Sequence, residues 1–131
     1  MTLAYWCVLI SMFMPIVWVG FAKVGGGTTG GAGRYDNAAP RAYLGRLEGW
    51  PARANWAQQN ALEAFPPFAA GVIIAHQVGQ LAQGTIDLLA VIFVAARIVY
   101  GALYMLDMAT LRSVVWFVGL LSTVLLFVLS A

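Results

Sequence analysis

The chain has 131 residues, of which 62% are hydrophobic and only 9% are charged, and its mean hydropathy is +0.83. A water-soluble domain has about 25% charged and about 45–50% apolar residues, so the composition excludes that class and indicates an integral membrane protein. The net charge of +2 is too small and too scattered for a nucleic-acid-binding surface. We expect one domain, an all-α integral membrane four-helix bundle.

The first predicted span covers residues 3–22 and contains no charged residue. Trp6 and Trp18 lie near its ends, where tryptophan is enriched in membrane helices. Because no basic segment precedes it and it runs to about 20 residues, we predict a retained span and not a cleaved signal peptide. Cys7 has no second cysteine to pair with and is predicted to be a buried thiol.

Residues 23–49 form the predicted cytoplasmic loop, the only long polar segment in the sequence. It begins with Lys23 and a glycine-rich run, which composition predicts to be a flexible linker. Gly25, Gly27 and Gly30 fit the spacing of a GxGxxG nucleotide-binding motif. That motif requires a preceding strand, whereas a membrane span precedes it here, so we expect no nucleotide site.

The second predicted span covers residues 50–81 and is polar at its start and apolar at its end. About 30 helical residues extend about 45 Å. Because this exceeds the bilayer core of about 30 Å, the amino end must project from the membrane or line a polar cavity. Pro66 and Pro67 each remove a backbone donor, so we expect a kink just past Glu63. His76 is predicted to bond to a neighbouring helix and not to a metal, because no second His or Cys lies at ligand spacing.

The third and fourth predicted spans cover residues 86–106 and 111–131, with a tight connection between them. Basic residues lie in the first loop and, at Arg112, beside the third loop, whereas the second loop contains none. The positive-inside rule therefore predicts that loops one and three are cytoplasmic and that both termini lie on the opposite side. Short loops and the lack of organelle signals favour a bacterial inner membrane.

Polar residues of the second and third spans are predicted to face each other. Consecutive spans are antiparallel, so residues of equal depth can be paired across them. The predicted pairs are Arg53 with Asp107, Asn60 with Tyr100, and Glu63 with Arg97. An ionised side chain in hydrocarbon costs roughly 2.5–3.5 kcal/mol or more, so Glu63 needs a partner or a polar cavity.

The role of these charged residues has two interpretations from the sequence. Glu63 and Arg97 either form a structural ion pair or belong to a ligand site. Arg112 either anchors the chain at the membrane surface or faces a bound anion, since the helix dipole disfavours a cation in the first turn of a helix. Arginines, tyrosines and amides together suit a small anion bearing carboxylates. A reactive group other than a hydroxyl would have to arrive with a cofactor.

The sequence resembles the membrane-associated proteins in eicosanoid and glutathione metabolism, the MAPEG family. The resemblance covers nearly the whole chain and rests on the segments RAYLGRLEGW, NALEAFPPF, RIVYGALY and LRS. Its most specific piece is an Asn-x-x-Glu sequence followed by an aromatic residue and proline, at Asn60, Glu63, Phe65 and Pro66. It implies a homotrimer of four-helix bundles that binds glutathione between subunits near the cytoplasmic face.

The resemblance also implies the site residues. Those implied to be catalytic are Arg112, Tyr100 and Tyr104, with Arg112 stabilising the thiolate of glutathione. Those implied to bind glutathione are Arg53, Gln58, Asn60, Glu63, Arg97 and Ser113. Arg53 is included as a substitute for the arginine that several relatives carry where this chain has Trp56. Ala64 replaces an aromatic residue that some relatives carry.

The predicted function is a membrane-embedded glutathione-dependent transferase or peroxidase that activates the thiol toward lipophilic electrophiles or hydroperoxides. The predicted partners are further copies of the chain, membrane lipid and an apolar small-molecule substrate. The alternative is a non-catalytic lipid- or glutathione-binding protein of the same fold, since the family includes a lipid-presenting activator. A small four-span exporter is disfavoured, because such proteins usually carry a glutamate in the first span, and residues 3–22 contain no acid.

Overall fold

The fold, taken from a computed structural model, is described for residues 1–29 and 31–131 and contains no strand in those ranges. Its helices are α1 (Leu3–Thr28), α2 (Pro40–Leu44), α3 (Gly49–Val78), α4 (Gln83–Met105) and α5 (Ala109–Val128). Four of them, α1, α3, α4 and α5, are long and apolar enough to cross a membrane. The prediction of an all-α, multi-pass membrane protein with a four-helix bundle is therefore confirmed.

The four spans pack around a core of aromatic and small residues. Helix α1 contacts α3 and α4, and helix α5 also contacts α3 and α4. At the centre, Phe68 of α3 stacks on Phe93 of α4 with ring centroids 3.8 Å apart. The buried residues around this pair are mostly small or branched: Ala4, Cys7, Val72, Ala75, Ile86, Leu89, Ala90 and Leu126. Small residues let helices approach closely in a membrane, where lipid competes equally well for apolar surface.

Helix α1 continues beyond the predicted end of the first span. The prediction of a flexible linker is wrong for residues 24–28, which are helical. Gly25 is buried, and a Cβ at this position would meet the ring of Trp50 and lie 2.8 Å from Pro51 Cγ. The glycine therefore lets the end of α1 lie against the start of α3. Gly30, the third glycine of the GxGxxG pattern, lies outside the described residues.

The first loop folds back onto the ends of the helices as a small packed element, which we call the polar cap (residues 31–48). Tyr43 is fully buried in it and meets Tyr35 edge to face, with ring centroids 5.1 Å apart. Lys23 lies with its Nζ 4.7 Å from the centre of the Tyr35 ring. Arg41 and Arg46 remain exposed on the surface of the cap. The predicted loop is thus a folded part of the bundle.

At the opposite end of the bundle, α4 holds the start of α1. The Asp87 carboxylate accepts a hydrogen bond from the backbone N–H of Ala4 at 2.8 Å and another from Gln83 Nε2 at 2.9 Å. The first N–H groups of a helix have no partner within the helix. A negative charge near them is also attracted by the positive amino end of the helix dipole. Asp87 therefore caps α1 from a different helix.

His76 lies beside this cap and is bonded through both ring nitrogens. Its Nδ1 donates to the Val72 carbonyl at 2.7 Å, because a carbonyl can only accept. Its Nε2 lies 3.1 Å from the hydroxyl of Thr2, and the ring stacks on Tyr5 with centroids 4.4 Å apart. His76 thus bonds to the start of a neighbouring helix, as the sequence led us to expect.

Candidate functional site

Helices α3 and α4 carry most of the candidate residues and run antiparallel. Helix α3 continues unbroken through Pro66 and Pro67, whose missing N–H groups leave two carbonyls one turn earlier without their usual donors. Gly79 ends α3 in the left-handed conformation, with a φ of 70°, and the chain reverses into α4 within a few residues. This reversal brings the polar half of α3 beside the last turns of α4.

Asn60 connects the two charged residues at the centre of the site. Arg97 Nη2 donates a hydrogen bond to Asn60 Oδ1. Asn60 Nδ2 in turn donates to Glu63 Oε2 at 3.3 Å. An amide can do this because it carries both donors and an acceptor. The predicted direct pair of Glu63 with Arg97 is therefore wrong, because the amide lies between them. Asn60 and Tyr100, which were also predicted to meet, line one cavity together.

The Arg97 guanidinium is buried and has no carboxylate directly bound to it. The residue is only 4% exposed, and its guanidinium carbon lies 4.3 Å from the centre of the Tyr100 ring. A cation over an aromatic face is attracted by the negative face of the ring. The Nε–H of Arg97 is buried without a hydrogen-bond partner among the described residues. An amide and a ring therefore stabilise this cation, and one donor is unpaired.

Arg53 binds the end of α4 and not Asp107, so that predicted pair is also wrong. Its Nε and Nη2 donate to the Met105 carbonyl at 3.2 and 3.1 Å. Met105 is the last residue of α4, where carbonyls lack helical donors and attract cations. Asp107 is exposed and has a φ of 61°, in the left-handed region just past the end of α4. Arg53 acts as a C-cap for α4.

A row of side chains in contact lies beside Asn60 and Arg97. It consists of Tyr100, Tyr104 and Arg112. The two tyrosine rings meet edge to face with centroids 5.5 Å apart. The Arg112 guanidinium carbon lies 4.1 Å from the centre of the Tyr104 ring, and Trp56 of α3 lies 6.1 Å from the same ring. Arg112 of α5 is thus held against the aromatic residues of α4 through a cation–π contact.

Two cavities meet at Asn60 and Glu63. The polar cavity has a volume of about 390 Å³ and is lined by Trp56, Gln59, Asn60, Glu63, Tyr100 and Tyr104. The apolar cavity has a volume of about 170 Å³ and lies between α3, α4 and α5, where it is lined by Asn60, Glu63, Ala64, Pro67, Phe93, Arg97, Trp116, Leu120 and Thr123. Asn60 and Glu63 therefore form the wall shared by a polar and an apolar space.

Some of the predicted site residues line these cavities and others do not. Those that do are Asn60, Glu63, Arg97, Tyr100 and Tyr104. Those that line neither are Arg53, Gln58, Arg112 and Ser113. Arg112 adjoins the polar cavity through Tyr104, whereas the exposed Ser113 donates its hydroxyl to the Ala109 carbonyl at 3.1 Å.

Gln59 is the polar residue that the sequence prediction missed. It lines the polar cavity, whereas the predicted Gln58 is half-buried and lines neither cavity. Trp56, Gln59, Asn60 and Glu63 are spaced i, i+3, i+4 and i+7, which places them on one face of a helix. That spacing would have selected Gln59 over Gln58.

The polar cavity offers a carboxylate, amides and tyrosine hydroxyls, with two arginines close to its walls. These groups suit a small zwitterion, because they supply acceptors for an ammonium group and donors for carboxylates. In the described residues there is no group of three or more His, Cys, Asp or Glu side chains placed to hold a metal ion. The chemistry that fits this geometry is binding of a small polar molecule beside an apolar space.

Comparison with known proteins identifies the family. The MAPEG family model matches residues 3–131, which is nearly the whole sequence. No curated protein and no solved structure matches the chain. The family match has the same extent as the resemblance seen in the sequence. The chain therefore belongs to the MAPEG family.

Proposed function

We propose that this protein binds glutathione in the polar cavity and activates its thiol toward lipophilic electrophiles or hydroperoxides. The observation that carries the proposal is the polar cavity itself, walled by Asn60, Glu63, Tyr100 and Tyr104, in a chain of a family associated with glutathione use. Glutathione carries carboxylates at both ends, an α-ammonium group and amides. The cavity lining supplies a complementary group for each of them.

The binding roles follow from charge and hydrogen-bonding capacity. Glu63 would hold the ammonium group, and Asn60, Gln59 and the tyrosine hydroxyls would bond to amides and carboxylates. Arg97, already bonded to Asn60, would fix that amide in place and keep it from rotating. Glutathione would supply the nucleophilic sulfur. The protein supplies orientation and a positive field near that sulfur.

Arg112 would provide this positive field. A free thiol has a pKa of about 8.5, so it is mostly protonated at neutral pH, and only the thiolate attacks. A nearby cation favours the charged form and lowers the thiol pKa, and each pKa unit corresponds to about 1.4 kcal/mol. Removing the cation should therefore raise the pH at which thiolate appears. Tyr104, under the guanidinium, would keep Arg112 at the cavity mouth.

The test is the thiolate absorbance of glutathione bound to detergent-solubilised protein, followed across pH. We expect a thiolate signal at neutral pH in the parent and a midpoint at least about one pH unit higher in Arg112→Ala, because a cation has been lost. Arg46→Ala is the matched control, since Arg46 is an exposed arginine of the polar cap. We expect it to titrate like the parent.

The same measurement separates catalysis from binding alone. The guanidinium of Arg112 lies over the Tyr104 ring and does not line the polar cavity. This position would also fit a protein that binds glutathione without activating its thiol. Calorimetric binding with no thiolate at neutral pH would favour this non-catalytic function. No binding at all would refute glutathione as the ligand.

We also propose that the protein works as a homotrimer in a bacterial inner membrane. Glu63 and Gln59 are exposed on the surface of the single bundle, one to two turns before Pro66. An exposed carboxylate is costly next to lipid, so a second copy covering this face would stabilise Glu63. Cross-linking in membranes should give a product of three chains, and a single-chain species in lipid discs would contradict the proposal.

A further inference from the structure

Trp18 of α1 is buried against the backbone of α4. Its side chain is only 7% exposed. Gly101 lies opposite it on α4, and a Cβ at that position would overlap the indole ring, with the ring atom Cη2 2.6 Å away. The indole ring therefore occupies the space that a side chain at residue 101 would need. Glycine is a poor helix former, so its place inside α4 fits a packing requirement.

The same indole ring borders the aromatic residues of the candidate site. Trp18 forms a buried cluster with Ala57 and Ala61 of α3, and Tyr104 packs against this cluster. Gly101 precedes Tyr104 by three residues, so the two positions lie on one face of α4. Long side chains of a helix lean toward its amino end, which directs the Tyr104 ring toward the turn that contains Gly101. Trp18 and Tyr104 therefore share the space beside this turn.

Tyr104 in turn holds Arg112. The guanidinium carbon lies 4.1 Å from the centre of the Tyr104 ring. Tyr100 meets that ring edge to face at 5.5 Å, and Trp56 lies 6.1 Å from it. Cation–π attraction requires the cation to lie over the ring face, so a ring that shifts takes the guanidinium with it. Because buried side chains are closely packed, a displacement of Trp18 should reach Arg112 through this ring.

We propose that Trp18 is a positioning residue for thiol activation. Its contact with Gly101 fixes the Tyr104 ring, and the ring holds the Arg112 guanidinium at the mouth of the polar cavity. The proposal rests on the proposed function, because it names the residue that places the cation of that site. Trp18 does not line the polar cavity and so does not touch a ligand bound there. Its effect passes through Tyr104.

Coulomb's law gives the size of the effect. For a cation about 4 Å from the thiolate sulfur, a displacement of about 1 Å outward weakens their attraction by about a fifth. At an effective dielectric constant of about 20, this raises the thiol pKa by about 0.6 units. A misplaced Arg112 should therefore raise the pH at which thiolate appears, but by less than the loss of Arg112 does.

The test is the thiolate titration of glutathione bound to the detergent-solubilised parent, Gly101→Ala and Gly84→Ala. In Gly101→Ala the new Cβ displaces the indole ring. We expect the midpoint to rise by about 0.5 pH units, which is about a threefold loss of thiolate below the midpoint. Gly84→Ala is the matched control, since Gly84 is also on α4 and a Cβ there meets nothing within 4 Å. Equal midpoints in all three proteins would overturn the proposal.

A second substitution separates positioning from a general loss of stability. The atoms that the new Cβ would overlap, Cε2, Cζ2 and Cη2, belong to the six-membered ring of the Trp18 indole. A phenyl ring reaches less far, so Trp18→Phe should make room for the Cβ of Gly101→Ala. We expect the midpoint of the double variant to return toward that of the parent. A midpoint that stays raised would contradict the proposal.

Trp18→Leu replaces Gly101→Ala if the latter does not fold. It removes the indole ring and leaves Tyr104 without one of its neighbours. We expect the thiolate midpoint to rise in this variant as well. An unchanged midpoint would show that Trp18 has no part in placing Arg112.

A further readout does not require glutathione. The Arg112 guanidinium lies over the Tyr104 ring, so the ring current shifts the NMR resonance of its Nε–H. In protein with isotope-labelled arginine, this resonance is assigned by its absence in Arg112→Ala. We expect it to move in Gly101→Ala and not in Gly84→Ala, and no movement in either would overturn the proposal. If it moves while the parent shows no thiolate at neutral pH, the proposed function fails but the placement of Arg112 by Trp18 holds.

Discussion

Asn60 is the residue on which both charged side chains of the site depend, since it accepts from Arg97 and donates to Glu63. In Asn60→Ala the buried guanidinium of Arg97 loses this hydrogen bond and retains only its contact with the Tyr100 ring. A buried charged group left without its hydrogen bond costs about 1–3 kcal/mol or more. We expect the free energy of unfolding to fall by about that amount, measured by thermal unfolding in detergent.

The control for this variant is Gln58→Ala. Gln58 is also a half-buried amide on α3, but it lines neither cavity. Its removal should change stability by less than about 0.5 kcal/mol. Equal unfolding temperatures for the two alanine variants would show that the amide bridge contributes nothing. Glutathione affinity should fall in Asn60→Ala and stay constant in Gln58→Ala.

At the scale of residues, the sequence identified the chemical types at the site better than their contacts. Asn60, Glu63 and Arg97 do lie together, because few polar residues occur at membrane depth and each needs a partner. The sequence could not exclude a direct ion pair between Glu63 and Arg97. Whether a carboxylate and a guanidinium on neighbouring helices touch directly or through a third side chain depends on side-chain conformation, which the sequence does not give. The amide between them is visible only in the structure.

At the scale of helices, Arg53 tests how α3 and α4 are aligned. Since it donates twice to the Met105 carbonyl, Arg53→Ala should destabilise the protein by about 0.3–1 kcal/mol, as loss of a cation at the carboxyl end of a helix does. Asp107→Ala should have little effect, because Asp107 is exposed. A double-mutant cycle of Arg53→Ala and Asp107→Ala, measured by thermal unfolding, should give a coupling energy near zero. A clear favourable coupling would restore the pairing expected from the sequence.

The alignment of α3 and α4 differs from the predicted one by two to three residues. Arg53 hydrogen-bonds to residue 105 and not to 107, and Asn60 hydrogen-bonds to residue 97 and not to 100. Pairing residues of α3 and α4 by their depth in the membrane predicts the contact to within about one helical turn. An arginine side chain, however, is long enough to bond to a residue on an adjacent turn. Which partner is chosen depends on local acceptors, such as the free carbonyl of Met105, and not on sequence distance.

The length of α1 also could not be predicted from composition. Glycine disfavours a helix by about 1 kcal/mol per residue relative to alanine, which is why the glycine-rich run resembled a linker. Gly25 is helical because its missing side chain lets Trp50 and Pro51 pack against the backbone. Packing against a residue about 25 positions later outweighs the local preference.

Two glycine substitutions on α1 should have opposite effects. In Gly25→Ala the new Cβ meets the Trp50 ring and Pro51, so we expect destabilisation by about 1–3 kcal/mol, as for an overpacked core. In Gly27→Ala the Cβ meets nothing within 4 Å, so we expect stabilisation by up to about 1 kcal/mol. Thermal unfolding of both variants measures this. Destabilisation by Gly27→Ala would show that this part of α1 is not helical.

At the scale of the whole molecule, the number and order of the spans follow directly from hydropathy, because each of the four spans must satisfy its backbone within the bilayer. The polar cap does not follow in the same way. Its burial of Tyr43 depends on contacts with the ends of α1 and α3, which a short polar sequence does not reveal. Side-chain packing between segments that are distant in the sequence is therefore the part that composition and hydropathy do not predict.

Orientation in the membrane can be tested with single added cysteines. Cys7 is only 3% exposed, so it should give little background labelling. If the polar cap faces the cytoplasm, Ala42→Cys should react with a membrane-impermeant maleimide only after cells are lysed. Gln80→Cys, exposed in the turn between α3 and α4, should react in intact spheroplasts. The reverse pattern would invert the topology expected from the positive-inside rule.

The contact between Asp87 and the start of α1 bears on how the protein is made. Helix α1 leaves the ribosome before α4, and the carboxylate of α4 that caps it is separated from Ala4 by 83 positions. Until that later segment has been inserted, the leading amide of α1 has to keep water as its partner. Insertion of α1 into the bilayer and its packing against the other helices are therefore separate events in biogenesis.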